Sequence, residues 1–96
     1  MAEYRLSNQA KEDLIRIHQY GIVTFGEAQA DKYFDAIFDQ FEIIAERPRS
    51  FEAVDHIQPG YRRCVCGVES IFFRVDHETV EIMTIIGRQD IDQIFK

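Results

Sequence analysis

A chain of 96 residues with a formal net charge of −6 has the size of one domain with a modest hydrophobic core. The charge is uneven: residues 1–46 carry nine acids against four bases, a net charge of −5, whereas residues 47–75 carry three acids against five bases, a net charge of +2. This argues against a generalised phosphate-binding surface, which needs a broad positive field, and leaves a local basic patch open. We expect residues 1–96 to form a single domain.

The first half of the chain predicts one short strand and a first helix. Residues 3–7 alternate polar and apolar side chains, as a half-buried strand does. Ser7 or Asn8 then offers an N-cap, and Gly26 is a typical helix end. Between them, apolar or small residues recur at helical spacing: Ala10, Leu14, Ile17, Gly21 and Phe25.

A second helix is predicted from near Glu27 to a point before Pro48. One face is apolar and the opposite face is acidic. The apolar face holds Ala30, Tyr33, Phe34, Ile37, Phe38, Phe41 and Ile44, and the acidic face holds Asp31, Asp35, Asp39, Glu42 and Glu46. The acidic face is either simply solvated or a docking surface for a basic partner. Because very few residues join the two helices, they should form an antiparallel hairpin, with Tyr33, Phe34, Ile37 and Phe41 in the core.

The second half of the chain predicts a loop and three strands. Residues 47–60 contain Pro48, Pro59 and Gly60, which indicates an irregular surface loop. Three apolar strands joined by tight turns follow within residues 61–90, and a short tail closes the chain. The predicted fold is therefore α+β: an antiparallel β-sheet with a helical hairpin packed on one face, in the order β-α-α-β-β-β. The strand order stays unassigned.

The last of these strands, near residues 80–86, is apolar on both faces. The helical hairpin covers only one face of a sheet. We therefore expect the short tail, Asp90–Lys96, or another chain to cover the other face. Without such a cover, windows such as Ile82–Ile86 would be prone to aggregation.

Two cysteines, Cys64 and Cys66, lie two positions apart on one predicted strand. A C-x-C spacing without a second pair is not a zinc motif, and an extended backbone aims such neighbours poorly for a disulfide. We interpret them as buried thiols in a reducing cytosol. No charged segment followed by an apolar run opens the chain, and no apolar stretch approaches about 20 residues. A soluble, cytoplasmic protein with no membrane segment is expected.

The histidines indicate no catalytic chemistry. His18, His56 and His77 fall on a helix, a loop and a turn, and none has a carboxylate or nucleophile at a recognisable spacing. Phosphate loops, dinucleotide fingerprints and H-E-x-x-H are absent from the sequence. We therefore expect no enzyme activity, no cofactor and no metal.

Arginines in the apolar strands are the most informative residues, because an embedded guanidinium is costly without an anionic or hydrogen-bonding partner. They are Arg62, Arg63, Arg74 and Arg88. Arg62 and Arg63 must point to opposite faces of their strand, and Arg74 shares a face with Phe72. Two interpretations stay open: ion pairs with carboxylates such as Glu3, Glu69 or Glu81, or a site for an anion or a partner's carboxylate.

The order of these motifs resembles the RelE/ParE superfamily of toxin–antitoxin toxins over essentially the whole chain. The motifs are Y-R-L-S-x-x-A-x-x-D-L at residues 4–14, I-A-E-x-P at 44–48, Y-R-R at 61–63, F-F-R-V at 72–75 and I-I-G-R-Q-D at 85–90. Each motif is weak alone, but their order and spacing together are specific. The first two motifs are similar to the ParE branch.

This resemblance implies a toxin that binds and inhibits DNA gyrase and is neutralised by a ParD-like antitoxin, with which it forms a hetero-oligomer. The antitoxin would wrap the toxin with a segment that folds on binding, as a helix in a groove with an added strand. The implied target- or partner-binding residues are Arg62, Arg63, Arg74, Arg88, Ile91 and Phe95. Direct sequence-specific nucleic-acid binding is not expected.

The alternative is the RelE branch, whose members cleave mRNA on the ribosome. In that case Arg62 or Arg63 and Arg74 would take the arginine positions that stabilise the phosphate. The C-terminal tyrosine or histidine of that branch has no match, since Gly87, Arg88 and Gln89 follow Ile86. The net acidity also opposes binding to ribosomal RNA. Both points favour the ParE branch.

Overall fold

The structure is a computed structural model, which describes residues 3–87. It confirms the α+β class, the helical hairpin and the predicted order of elements. The elements are β1 (Glu3–Leu6), α1 (Asn8–Phe25), α2 (Glu27–Glu46), a short 3-10 helix (Pro48–Ser50), β2 (Glu52–Ala53), β3 (Arg62–Cys66), β4 (Glu69–Asp76) and β5 (Thr79–Gly87). The two-residue strand β2 is an addition, and it lies within the segment predicted as an irregular loop.

The five strands form one sheet in the order β1-β5-β4-β3-β2. Strands β3, β4 and β5 pair antiparallel with one another, as predicted, and β2 also pairs antiparallel with β3. Strand β1 instead runs parallel to β5, with Glu3 opposite Thr79 and Leu6 opposite Ile82, so the sheet is mixed. Alternation of polar and apolar residues identifies a strand but does not encode the direction of its neighbour, which is decided by where the helical hairpin returns the chain.

The helical hairpin is fixed at its start and at its turn. Ser7 is the N-cap of α1, and its hydroxyl accepts a hydrogen bond from the backbone N–H of Ala10 at 3.0 Å. Gly26 separates the helices with φ of +91°, a conformation that favours glycine. Close to that turn, a Cβ built on Gly21 would lie only 3.1 Å from the Cβ of Ala30. The small residue at position 21 therefore lets the two helices pack closely.

The main core lies between the helices and one face of the sheet, which we call the helix face. Ile37 and Phe41 of α2 are completely buried, as predicted, and Tyr33 and Phe34 pack against the core while remaining partly exposed. Phe25 departs from the prediction, because 66% of its surface is exposed. The last turns of α1 extend beyond the sheet, so its apolar rhythm continues where no strand lies beneath it.

The opposite face of the sheet, which we call the outer face, is covered differently from what the sequence predicted. Val54, from the loop between β2 and β3, is fully buried against Phe72 and Ile86, and Ile57 and Tyr61 of the same loop pack around them. The expectation that only the tail or another chain would cover this face is therefore wrong for its centre. The window Ile82–Ile86 is not bare either, since its three isoleucines are at most 2% exposed.

Strand β5 carries a bulge at the point where its neighbour β1 ends. Phe72 of β4 lies opposite Thr84 and Phe73 lies opposite Ile82, so Met83 has no opposing residue on β4. On the other side, Leu6 is the last residue of β1 to pair with β5. Beyond Ile82, the backbone groups of β5 therefore need other partners.

Side chains at the start of α1 supply these partners. The Ser7 hydroxyl donates to the carbonyl of Met83 at 2.6 Å. The buried carboxylate of Asp13 accepts from the Thr84 hydroxyl at 2.7 Å and from the backbone N–H of Ile85 at 3.0 Å. One turn further along, Arg16 donates to the carbonyl of Ile85 at 3.1 Å. Side chains at the start of α1 therefore hydrogen-bond to the part of β5 that extends beyond its pairing with β1.

We expect Asp13→Ala to lower the free energy of unfolding by about 1–3 kcal/mol, because it leaves the buried N–H of Ile85 without an acceptor. Urea denaturation of the purified chain measures this difference. Glu12→Ala is the matched control, since Glu12 is exposed on the same helix turn and should change stability by no more than about 0.5 kcal/mol. Equal effects of the two substitutions would contradict the role given to Asp13.

Candidate functional site

Arg62 and Arg63 point to opposite faces of β3, as predicted. Arg62 lies opposite Phe73 and therefore on the helix face, where its guanidinium donates to the carbonyl of Phe51 at 2.7 Å. Arg63 lies opposite Phe72 on the outer face, and its Nε donates to the carboxylate of Glu52 at 2.8 Å. Each arginine is thus bound by a group of the segment between α2 and β3.

Arg74 lies on the outer face of β4, with 48% of its side chain exposed. Its Nε donates to the Glu81 carboxylate at 2.7 Å, one of the ion pairs considered from the sequence. Arg5 of β1 contacts the same carboxylate at 3.4 Å and Asp76 at 2.8 Å. The hydrogen bond from Arg74 is the main reason why the pKa of Glu81 lies below its usual value. Two arginines therefore flank one carboxylate across three adjacent strands.

Sequence reasoning did not single out Arg5, although a signal existed. The alternation in β1 places Glu3 and Arg5 on the face away from Tyr4 and Leu6, which is the same outward-facing pattern used to place Arg74. What the sequence does not contain is the pairing of β1 with β5. Only that pairing places Arg5 directly opposite Glu81.

The predicted site residues therefore divide into three groups. Arg63 and Arg74 share the outer face, because Arg63 lies opposite Phe72 and Arg74 is two residues further along β4. The Cα atoms of such diagonal neighbours are about 7–8 Å apart. Arg62 lies on the helix face and is separated from them by the sheet. The remaining residues, Arg88, Ile91 and Phe95, lie outside the described residues.

A second surface feature is an apolar groove beyond the end of the sheet, with a volume of about 320 Å³. Its walls come from α1, the start of α2 and the turn between β3 and β4. Three of its lining residues are strongly exposed: Tyr20 at 66%, Phe25 at 66% and Val68 at 67%. The complete lining is Arg16, Ile17, Tyr20, Gly21, Phe25, Gln29, Ala30, Tyr33, Gly67, Val68 and Glu69.

Tyr33 and Gly67 fix one wall of this groove. The Tyr33 hydroxyl donates to the carbonyl of Cys66 at 3.0 Å, and burial, aided by the charge of Glu69, raises the pKa of Tyr33 to about 12. Gly67 has φ of +61°, and a Cβ built on it would lie 2.8 Å from the Tyr33 ring. Both the backbone conformation and the contact with the ring therefore favour glycine at position 67.

His18 differs from the prediction of a histidine without a neighbouring carboxylate. Its Nε2 lies 2.7 Å from the Asp31 carboxylate of α2, and its ring packs on Phe34 at a centroid distance of 4.9 Å. The pair joins the two helices, which explains one member of the acidic face. This contact could not be predicted from the sequence, because His18 and Asp31 are 13 residues apart and meet only when the hairpin forms.

Cys64 and Cys66 are free thiols, the first buried and the second partly buried. Within residues 3–87, no three histidine, cysteine or acidic side chains gather as a metal site would need. Neither helix in this part of the chain has the length and apolar character needed to cross a bilayer.

Two solved structures of toxin–antitoxin systems share this fold. One, described as the chromosomal ParDE toxin–antitoxin system from P. aeruginosa, has a TM-score of 0.80 at 22% identity, over 91% of this chain and 96% of that chain. Another, described as the toxin–antitoxin complex RelBE2 from Mycobacterium tuberculosis, has a TM-score of 0.60 at 19% identity, over 91% and 98% of the two chains. These two structures therefore share the fold of this chain.

Sequence comparisons identify the branch. Residues 4–92 match the family model described as the ParE toxin of the type II toxin–antitoxin system parDE. Toxin ParE1 from Caulobacter vibrioides is 37% identical over 90% of this chain and 88% of its own length. Toxin ParE1 from Mycobacterium tuberculosis is 31% identical over 96% of both chains. The chain belongs to the ParE family of type II toxin–antitoxin toxins, and by this family membership it is a toxin and not an enzyme.

We expect Gly67→Ala to be more destabilising than Gly60→Ala, which serves as its matched control. Gly60 also has positive φ, +82°, but a Cβ there meets nothing within 4 Å, so alanine adds only backbone strain of about 1–2 kcal/mol. At Gly67 the collision with Tyr33 adds a further cost of about 1–3 kcal/mol. Urea denaturation of both variants measures the difference. Equal losses would show that the ring does not constrain this turn.

We also expect stability to fall in alkaline solution. Burial raises the pKa of the Cys64 thiol from 9.0 to about 11, so the folded chain holds this proton more tightly than the unfolded chain. The resulting stability is complete below pH 9.0 and is lost as the pH rises towards about 11. Urea midpoints measured across this window should fall less steeply for Cys64→Ala than for the natural chain. Parallel profiles would contradict the assignment.

Proposed function

We propose that this toxin acts by binding and inhibiting DNA gyrase and that a ParD-like antitoxin neutralises it. The observation that carries the proposal is the match of residues 4–92 to the ParE family, together with relatives named Toxin ParE1 that align over most of their length. The proposal describes a protein that acts by contact with its target.

The outer-face arginines are the proposed polar contacts with the target. Arg63 and Arg74 are neighbours on that face, and each contacts a carboxylate at the surface. Ion pairs in solvent contribute little stability, so a carboxylate of a partner can replace Glu52 or Glu81 at small cost. Arg62 and Arg88 are proposed to add polar contacts, and Ile91 and Phe95 of the tail are proposed to assist binding.

Two features support a wrapping antitoxin. Strand β2 pairs only with Arg62 and Arg63, so residues 64–66 of β3 have no neighbouring strand on that side within the described part of the chain. Val65 in this segment is 55% exposed, which suits the addition of a strand from a partner. Exposed apolar side chains also lie on α1, among them Ile15 at 58% and Val23 at 87%, and they offer contacts to an amphipathic helix. We propose that the antitoxin covers both.

The ribonuclease alternative finds less support in the geometry. It requires Arg74 and either Arg62 or Arg63 at one phosphate. Arg62 is on the helix face and is excluded from that pair by the sheet between it and Arg74. Arg63 and Arg74 do share a face, but the sequence has no match to the C-terminal tyrosine or histidine of that branch, since Gly87, Arg88 and Gln89 follow Ile86.

A direct test combines two assays on the purified chain without its antitoxin. The first follows gyrase supercoiling and the accumulation of cleaved DNA complexes, and the second follows mRNA cuts during translation in vitro. We expect loss of supercoiling with cleaved complexes and intact mRNA. Cut mRNA beside unaffected gyrase would reverse the proposal in favour of the ribonuclease.

Within the gyrase assay, we expect Arg74→Ala to raise the concentration needed for half-inhibition by about tenfold or more, because a charge-assisted contact is lost. Arg5→Ala is the matched control: it removes the other arginine from Glu81 but not the proposed contact. Circular dichroism checks that both variants are folded. An equal loss of inhibition in both would assign Arg74 to the ion-pair network alone, and an insoluble Arg74→Ala would make it structural.

A further inference from the structure

One side of α1 carries exposed apolar side chains where it runs beside α2. Ile15 is 58% exposed and Ile22 is 39% exposed, and the partly buried His18 lies between them. Residues spaced i, i+3 and i+7 lie on one side of a helix, so these three form a single stripe. Because His18 contacts Asp31 of α2, the stripe runs along the seam between the two helices. We call these three residues the seam stripe.

The alignment of the two helices follows from two contacts. The His18 Nε2 lies 2.7 Å from the Asp31 carboxylate, and a Cβ built on Gly21 would lie 3.1 Å from the Cβ of Ala30. The later residue of α1 thus meets the earlier residue of α2, as in an antiparallel pair. One turn back along α1 therefore corresponds to one turn forward along α2.

The residues of α2 that border the seam stripe are acidic. By this alignment Asp35 comes level with Ile15, and Glu27 comes level with Ile22. Both acids are exposed, and within residues 3–87 neither forms an ion pair with another described side chain. The preceding turn of α1 brings Lys11, so the excess of negative charge is confined to the turns beside the stripe.

This surface matches a helix that has an apolar side with basic side chains next to it. An added strand does not fit, because the backbone groups of α1 and α2 are paired within each helix and would leave those of the strand without partners. A helix pairs its own backbone groups and can repeat the i, i+3, i+7 spacing of the seam stripe. Lysine or arginine side chains on its flank then lie against carboxylates.

On the basis of the proposed function, in which an antitoxin helix packs on α1, we propose that this helix lies along the seam stripe and is basic on the side that faces α2. Its apolar side chains pack on Ile15 and Ile22, and its lysine or arginine side chains pair with Glu27 and Asp35. The acidic face of α2, which the sequence left open between a solvated surface and a docking surface, is then a docking surface along this part of the helix.

The test measures the Kd of the full chain for its cognate ParD-like antitoxin by surface plasmon resonance. We expect Asp35→Lys to raise the Kd about tenfold or more, because it places like charges opposite each other. Glu46→Lys is the matched control, since it changes the net charge equally at the far end of α2 and should change the Kd by less than about twofold. Replacing a lysine or arginine of the antitoxin helix by glutamate should restore binding to Asp35→Lys.

A second pair of variants tests the apolar contact. Ile15→Ser should raise the Kd about tenfold, because a buried isoleucine side chain is lost from the interface. Ile43→Ser is its control, since Ile43 is 42% exposed on α2 but lies two turns beyond Asp35. Circular dichroism checks that each variant is folded. Should Asp35→Lys fail to fold, Asp35→Asn replaces it, with an expected rise of about threefold.

The outcomes separate this proposal from the proposed function. Equal Kd values for the natural chain and every variant would overturn the basic helix on the seam and leave neutralisation by the antitoxin intact. An antitoxin that does not bind the natural chain would overturn the proposed function and, with it, this helix. A natural chain that is dimeric by light scattering and becomes monomeric on Ile15→Ser would assign the seam to a second copy and would also overturn the proposal.

Discussion

The position of the helical hairpin depends on one buried carboxylate. Asp13 accepts hydrogen bonds from Thr84 and from the backbone of Ile85, where the bulge at Met83 and the end of β1 leave β5 without a strand partner. A buried backbone N–H must find an acceptor, so the register of α1 along β5 is set by this contact. Gln9 supports the carboxylate with a hydrogen bond at 3.0 Å.

That register has a consequence at the other end of the hairpin. With its first two turns held beside residues 83–85, α1 runs on past the end of the sheet. Tyr20 and Phe25 consequently have no strand beneath them and remain exposed, although Phe25 continues the apolar pattern of the helix. The same fixed register brings α1 close to the turn at Gly67, so the groove is a direct result of how the hairpin is anchored.

The two faces of the sheet have different chemical roles. The helix face carries most of the apolar core. Arg62 lies on the same face and donates a hydrogen bond to the carbonyl of Phe51. The outer face has an apolar centre under the β2–β3 loop and a row of charges beside it, in which Glu81 lies between Arg5 and Arg74. The proposed action by contact needs surfaces that are stable alone and still able to exchange partners, and exposed ion pairs meet both needs.

Local sequence patterns predicted the helices, most strands and much of the core. The Ser7 cap, the Gly26 break and the apolar face that includes Ile37 and Phe41 all act over a few residues, so their effect can be read locally. The motif order also identified the family before the fold was known. The opposite faces of Arg62 and Arg63 could also be predicted, because the two-residue period of a strand is a local pattern.

Contacts between distant residues could not be predicted in this way, because they depend on the complete fold. The parallel pairing of β1 with β5 placed Arg5 on Glu81, the hairpin placed His18 on Asp31, and the loop at Val54 covered a face that the sequence left open. Each of these contacts joins residues far apart in the chain. Local periodicity carries no information about such separations, because strand order, strand direction and loop path are set by how the whole core closes.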